Sequence, residues 1–148
     1  MNLEDKHKQM GIDLFNSTWD LIDLKDRTKE QDMEMIHSAH ASAYHWLKAG
    51  GTKVNEARSQ WQISRVYSLV NMGEAALFHG LASLNICIEN EIGDFDLAFG
   101  YEAVARAYET LENKEKVREY KQLALEACEK IASVQDREYA ISEIENIS

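Results

Sequence analysis

Three arginines draw attention because of where they fall. Between Val54 and Leu111 the chain carries eight acidic residues but only three basic ones, Arg58, Arg65 and Arg106. A guanidinium grips a carboxylate through two parallel hydrogen bonds and also stacks on aromatic rings. Arg65, one helical turn from Trp61, is therefore read as an anchor for an acidic side chain or a peptide C-terminus. A competing reading is internal: Arg65 and Arg106 pair with Asp94, Asp96 or Glu102 and hold adjacent helices together. Glu102 and Arg106 already stand at the i,i+4 spacing of a helical ion pair. The sequence leaves both readings open.

The histidines offer a second chemistry. Glu34-x-x-His37 and Glu4-x-x-His7 have the local spacing of a carboxylate and imidazole pair that ligates a metal from one helix, and His40 shares a stripe with His37. The alternative function is therefore an all-α metal- or small-molecule-binding enzyme using Glu34, His37 and His40. Against it, Glu4 and His7 lie at a chain end expected to fray, and no further carboxylates at matching spacing complete a four-helix site. The simpler expectation is that His37 and His40 are half-buried and hydrogen-bonded across a helix interface, with His79 packed between helices. If Tyr44, His40 and His79 converge, they add polar contacts to a groove. The sequence has no Gly-rich phosphate loop, no Gly-x-Ser-x-Gly elbow, no Cys-x-x-Cys and no His-Glu-x-x-His. No catalytic constellation emerges, and the expectation is a non-enzyme without a cofactor. Cys87 and Cys128 sit among apolar helical neighbours and are read as small core residues rather than a disulfide or metal pair.

These residues need elements to position them. A chain of 148 residues with 45% hydrophobic content suits one domain, able to bury roughly 68–70% of its unfolded surface. No proline and seven glycines leave few helix breakers, so the expected class is all-α. A net charge of −10 disfavours phosphate backbones and anionic lipid, so neither nucleic acid nor membrane is expected as a partner. The start of the chain lacks an apolar signal region, and no window approaches the ~20 apolar residues of a membrane span. A cytoplasmic location is expected.

Periodicity predicts a first helix over Leu3 to Leu24, with Gly11, Ile12, Phe15, Trp19 and Ile22 on one stripe. The second, Lys29 to Ala49, is apolar on two faces, one bearing Met33, Ile36, His37, His40, Ala43, Tyr44 and Leu47 and the other Met35, Ala39, Ser42 and Trp46. That pattern predicts a helix sandwiched between neighbours. Gly50-Gly51 stops it and Thr52 caps the third helix, Lys53 to Asn71. A turn at Met72-Gly73 leads into the fourth, Glu74 to Glu91, where Gly80 costs ~1 kcal/mol relative to Ala unless two helices approach closely there. Asp94 is expected to cap the fifth helix, which runs to Leu111. A sixth carries Val117, Tyr120, Ala124, Ala127 and Ile131. A short seventh, residues 136–146, brings Tyr139, Ile141, Ile144 and Ile147 to cover one end.

The chain also repeats itself. A gap-free shift of 41 residues lays Arg65, Tyr67, Val70, Leu84 and Cys87 on Arg106, Tyr108, Leu111, Leu125 and Cys128, the signature of a recurring supersecondary unit. RVYSLVNMGEAALFHGLASL and RAYETLENKEKVREYKQLAL resemble the core of tetratricopeptide repeats, with a packing Tyr in the first helix and small residues in the second. The resemblance covers Ala57 to Ile131, and YHWLKAGG, WQISRVY and GDFDLAFGYEAVARAYE resemble stretches of uncharacterised bacterial helical-repeat proteins. The chain departs from the family in its longer spacing, in lacking the repeat-closing proline, and in placing Asn71 and Glu112 where a turn glycine is usual. The resemblance implies a right-handed α-α superhelix of about three helix pairs, residues 3–49, 53–91 and 94–131, plus the C-terminal capping helix. It also implies a concave groove lined at positions two, six and nine before the packing Tyr. Those are Arg65, Trp61 and Arg58 in one unit and Arg106, Glu102 and Phe99 in the next, while Tyr67, Ala76, Leu84 and Cys87 are read as packing. The expected function is a non-enzymatic module binding a protein or peptide, one bearing an acidic group or a C-terminal carboxylate. Self-association through the end of the stack near the first helix, giving a homodimer, is a further expectation.

Overall fold

The computed structural model describes residues 2–148 as seven helices, α1 Leu3–Ile22, α2 Lys29–Lys48, α3 Lys53–Leu69, α4 Gly73–Glu89, α5 Asp94–Thr110, α6 Lys114–Cys128 and α7 Val134–Glu145. The all-α class is as expected, and consecutive helices pack on one another. Their starts follow local chemistry. Asn2, Thr28, Thr52, Asn113 and Ser133 each accept a backbone N–H from the first turn, which satisfies a donor the helix cannot. Thr52 caps α3 as expected, in a reciprocal box with Asn55. Asp94 departs from expectation: the cap position is Gly93, and Asp94 itself adopts φ 55°. Its Oδ1 accepts from Phe95 N at 2.7 Å and its Oδ2 from Ala132 N at 3.1 Å. The carboxylate thus ties the start of α5 to the turn before α7.

Helix ends repeat a single device. Gly50, Asn71, Glu91 and Glu112 all take a left-handed conformation, φ 71°, 62°, 54° and 60°. In each case the following amide reaches back to the last turn: Gly51 to Trp46 O at 3.1 Å, Met72 to Tyr67 O at 2.9 Å, Ile92 to Cys87 O at 2.8 Å and Asn113 to Tyr108 O at 3.0 Å. This closure satisfies orphan carbonyls and reverses the chain. Three of the four positions carry a Cβ where glycine is favoured.

Apolar faces meet in two main clusters. Ile22, Met35, Ala39, Ile63 and Val66 join α1, α2 and α3; Ala98, Phe99, Ala124, Cys128, Ala140 and Ile144 join α5, α6 and α7. Between them α4 wedges against both α3 and α5. A Cβ on Gly80 would lie 3.1 Å from Ser64 Oγ and 3.3 Å from the Ala103 carbonyl, so the close approach that offsets a mid-helix glycine is present. The 41-residue pattern has a physical counterpart here. Tyr67 stacks on His79 at 5.7 Å and Tyr108 on Tyr120 at 5.6 Å, the same inter-helix ring pair in successive units. Cys87 and Cys128 are free and buried, and burial pushes the Cys87 thiol up to about 11. At the C-terminal end Ile144 and Ile147 are buried, while Tyr139 stays 48% exposed.

Helix α2 is sandwiched between α1 and α3 as expected, with its second stripe covered in part. Met35, Ala39 and Ser42 are buried, but Met33, Tyr44 and Leu47 are exposed. α3 is the next helix in the stack, and it meets α2 through Ile36 and Ala43 without extending over the rest of that stripe. Helix α1 begins at Leu3 without a loose first turn, and His7 shares a 2.8 Å hydrogen bond with His45.

The left-handed glutamates generate a prediction. Relieving Cβ strain gains roughly 1–2 kcal/mol, while a glycine costs roughly 0.5–1 kcal/mol in unfolded-chain entropy. Glu91→Gly and Glu112→Gly should each raise Tm by about 1–4 °C, and Glu89→Gly, at the last helical residue of α4 two positions earlier, should lower it. Differential scanning calorimetry on the three variants checks the signs.

Candidate functional site

Five helices line one cleft of about 590 Å³, α4 through Ser83 alone. Phe15 and Trp19 come from α1, Arg58 and Trp61 from α3, Asp94, Phe95, Asp96 and Phe99 from α5, and Asp136 and Tyr139 from α7. The rings are in mutual contact. Trp19 stacks on Trp61 at 5.6 Å, Trp61 meets Phe99 edge-on at 5.8 Å, and Phe95 meets Phe99 at 4.5 Å. Tyr139 stacks beside Phe99 at 6.0 Å. Each ring projects from an odd-numbered helix, because α3 packs on α5 and α5 on α7 and their facing stripes run alongside one another.

Beneath the rings lies a buried charge cluster. Glu102 is 1% exposed. Its Oε1 accepts from Trp61 Nε1 at 2.8 Å and its Oε2 from Arg106 Nε at 2.7 Å, with Arg65 Nη1 3.9 Å away. Arg106 Nη2 donates to the Glu143 carbonyl at 3.3 Å and stands 4.0 Å from the Glu143 carboxylate. Two guanidinium groups thus face two carboxylates. A carboxylate taken out of water is tolerated only with such compensation. Burial first, and the Arg106 cation second, lower the Arg65 pKa, and Arg65 Nε finds no hydrogen-bond partner. The guanidinium remains protonated all the same.

The expected site residues divide into three places. Arg58, Trp61 and Phe99 line the cleft. Arg65, Glu102 and Arg106 are gathered under it, in the pairing the internal reading anticipated, and Arg58 is also paired, its Nε 2.8 Å and Nη2 3.2 Å from the two Asp96 oxygens. His40, Tyr44 and His79 do not converge on the groove. His40 shares a 2.8 Å hydrogen bond with Tyr67 and stands 5.5 Å from the His79 ring, which bonds Gln60 at 2.7 Å. This cluster joins α2, α3 and α4 away from the cleft, and Tyr44 lines a separate recess of about 220 Å³ with Leu47 and Gln60. Glu34 and His37 are exposed on α2, and among the described residues no three His, Cys, Asp or Glu side chains gather as a metal ion needs. Nor is any helix long and apolar enough to cross a membrane among those residues.

Sequence reasoning overlooked Phe15, Trp19, Phe95, Asp136 and Tyr139 as cleft residues. A looser period would have found two of them: Trp19 precedes Trp61 by 42 positions and Tyr139 follows Phe99 by 40. Compared with known protein families, curated proteins and solved structures, the chain matches none.

Two outcomes follow from this geometry. Glu102→Ala strands two arginines and an indole N–H, and losing one partner of a buried pair costs about 3–5 kcal/mol. Arg58→Ala, at an exposed pair, should cost about 0–1 kcal/mol. Urea midpoints compare them, and a Glu102→Ala midpoint no lower than that of Arg58→Ala would deny the cluster its weight. The second outcome concerns pH. Burial first, then the neighbouring His37 for His40 and His40 for His79, hold both rings below the usual histidine range. The unfolded chain therefore protonates first, so their stabilising contribution is complete above the unfolded value of about 6.5 and falls away as pH drops below it. Midpoints from pH 7.5 to 5 should decline less steeply in His40→Gln than in the wild type.

Proposed function

We propose that the chain is a non-enzymatic, tetratricopeptide-like interaction module that binds a segment of a partner protein in the cleft between α1, α3, α5 and α7. Regular features support the superhelical reading: helices α3 and α5 have the same length and start 41 residues apart, successive units end in the same left-handed closure, and the odd-numbered helices supply the cleft side chains. The observation that carries the binding reading is the row of aromatic rings lining a recess of about 590 Å³, with Tyr139 exposed and Phe15, Trp19, Trp61 and Phe95 half-buried. Rings supply large contact area at low conformational cost, and this volume lies in the range of recesses that hold a ligand or an anchoring side chain. The charge cluster below is the scaffold that orients Trp61, since Glu102 holds its indole nitrogen.

A peptide library displayed against the purified chain tests this. Selected binders should lose about tenfold or more in affinity for Tyr139→Ala or Trp19→Ala, the scale of a truncated aromatic anchor. Phe78→Ala, at a 70% exposed ring on α4 outside the cleft, should leave affinity unchanged. Binders equally tight on Tyr139→Ala, Trp19→Ala and wild type would remove the cleft assignment.

A further inference from the structure

The cleft has a charge character that its arginines conceal. Among the described residues lining it, Asp94, Asp96 and Asp136 face a single guanidinium, that of Arg58, so the formal balance at the mouth is 1 − 3 = −2. Arg58 is already held by both oxygens of Asp96. The other two arginines of this region are turned inward to Glu102 and Glu143 and are mostly buried, 20% and 14% exposed. An incoming carboxylate would meet three others, with no unpaired cation among the residues that line the cleft. An incoming cation would find ring faces flanked by acid, the arrangement that attracts a guanidinium or ammonium group over an aromatic centroid within about 6 Å. Phe95 and the 48% exposed Tyr139 form such a wall, with Phe99 buried against them. Tyr139 and Phe95 are inclined by 12°, Tyr139 and Phe99 by 25°, and Asp94 and Asp136 lie on the same two helices. The Asp94 carboxylate is fixed by the amides of Phe95 and Ala132, so its charge is preorganised at the rim.

We infer that the occupant of the cleft is a peptide segment presenting an arginine or lysine side chain to the Phe95 and Tyr139 rings between Asp94 and Asp136. This rests on the binding reading above and reverses the partner charge expected from the arginines alone. Arg58 then acts as a competitor that occupies Asp96, rather than as an anchor.

The two partner chemistries demand opposite signs from one substitution. Peptides selected on the wild type should be rich in Arg or Lys, and should bind Arg58→Ala about two- to fivefold more tightly and Asp136→Asn more weakly by a similar factor, the scale of one exposed charge pair. Glu30→Gln, an exposed carboxylate on α2 outside the cleft, should leave affinity unchanged. Equal loss in Glu30→Gln and Asp136→Asn would overturn local recognition in favour of general attraction to an acidic chain. Binders rich in Asp or Glu, or requiring a free C-terminus, and weakened by Arg58→Ala, would overturn the cationic occupant while leaving the cleft in place. Binders indifferent to Tyr139→Ala and Trp19→Ala would overturn the cleft itself, and the inference with it.

Discussion

The arrangement depends on one carboxylate out of water. Glu102 lies where α3, α5 and α7 come together, accepting from Trp61 on one side and Arg106 on the other, and Arg106 continues the chain of contacts into α7 through the Glu143 carbonyl. A buried anion is costly unless every lone pair is used, so the helices that satisfy it are constrained in height and rotation relative to one another. Trp61 is locked by that bond with its ring stacked on Trp19, which carries the constraint across to α1. The open aromatic surface above is as well defined as the cluster beneath it.

A second constraint is set by close approach. Where α4 passes between α3 and α5, no side chain separates Gly80 from Ala103, and Ser64 and Ser83 spend their hydroxyls on the carbonyls of Ala76 and Ala57. In the next unit the corresponding positions are Ala105 with Val117 and Ala124 with Ala98, all buried. The same helix contacts are therefore made once with polar pairs and once with methyl groups. Contacts 41 residues apart in the chain are thus met by different side chains at the same helix crossings.

Much of this architecture was legible in the chain. Apolar periodicity located seven helices, and the Gly50-Gly51 stop and Thr52 cap are local signals that tertiary structure had no reason to override. Asp94 misled because its carboxylate is captured by Ala132, 38 residues away, a partner that no neighbouring residue announces. The α2 stripe was legible in part, because α3 covers it at Ile36, His40 and Ala43 but leaves Met33, Tyr44 and Leu47 exposed. Trp61 and Phe99 were legible as cleft residues from their place in the repeat. Phe15, Trp19 and Tyr139 were not, because α1 and α7 lie outside the gap-free register. The pairing of Arg65 and Arg106 was legible only as one of two alternatives, since i,i+4 spacing shows that Glu102 can reach Arg106 but not that Trp61 completes the set.

The shared left-handed closures at Gly50, Asn71, Glu91 and Glu112 carry a consequence for how the chain can lengthen. Because the chain reversal is specified by backbone hydrogen bonds to the last helical turn, glycine, asparagine and glutamate all serve there, the last two at the cost of Cβ strain. Residues 53–93 begin and end at equivalent points of that cycle. Duplicating them in tandem would place a left-handed closure at each new junction, while the packing of α4 against a second copy of α3 would be a contact the parent molecule does not contain.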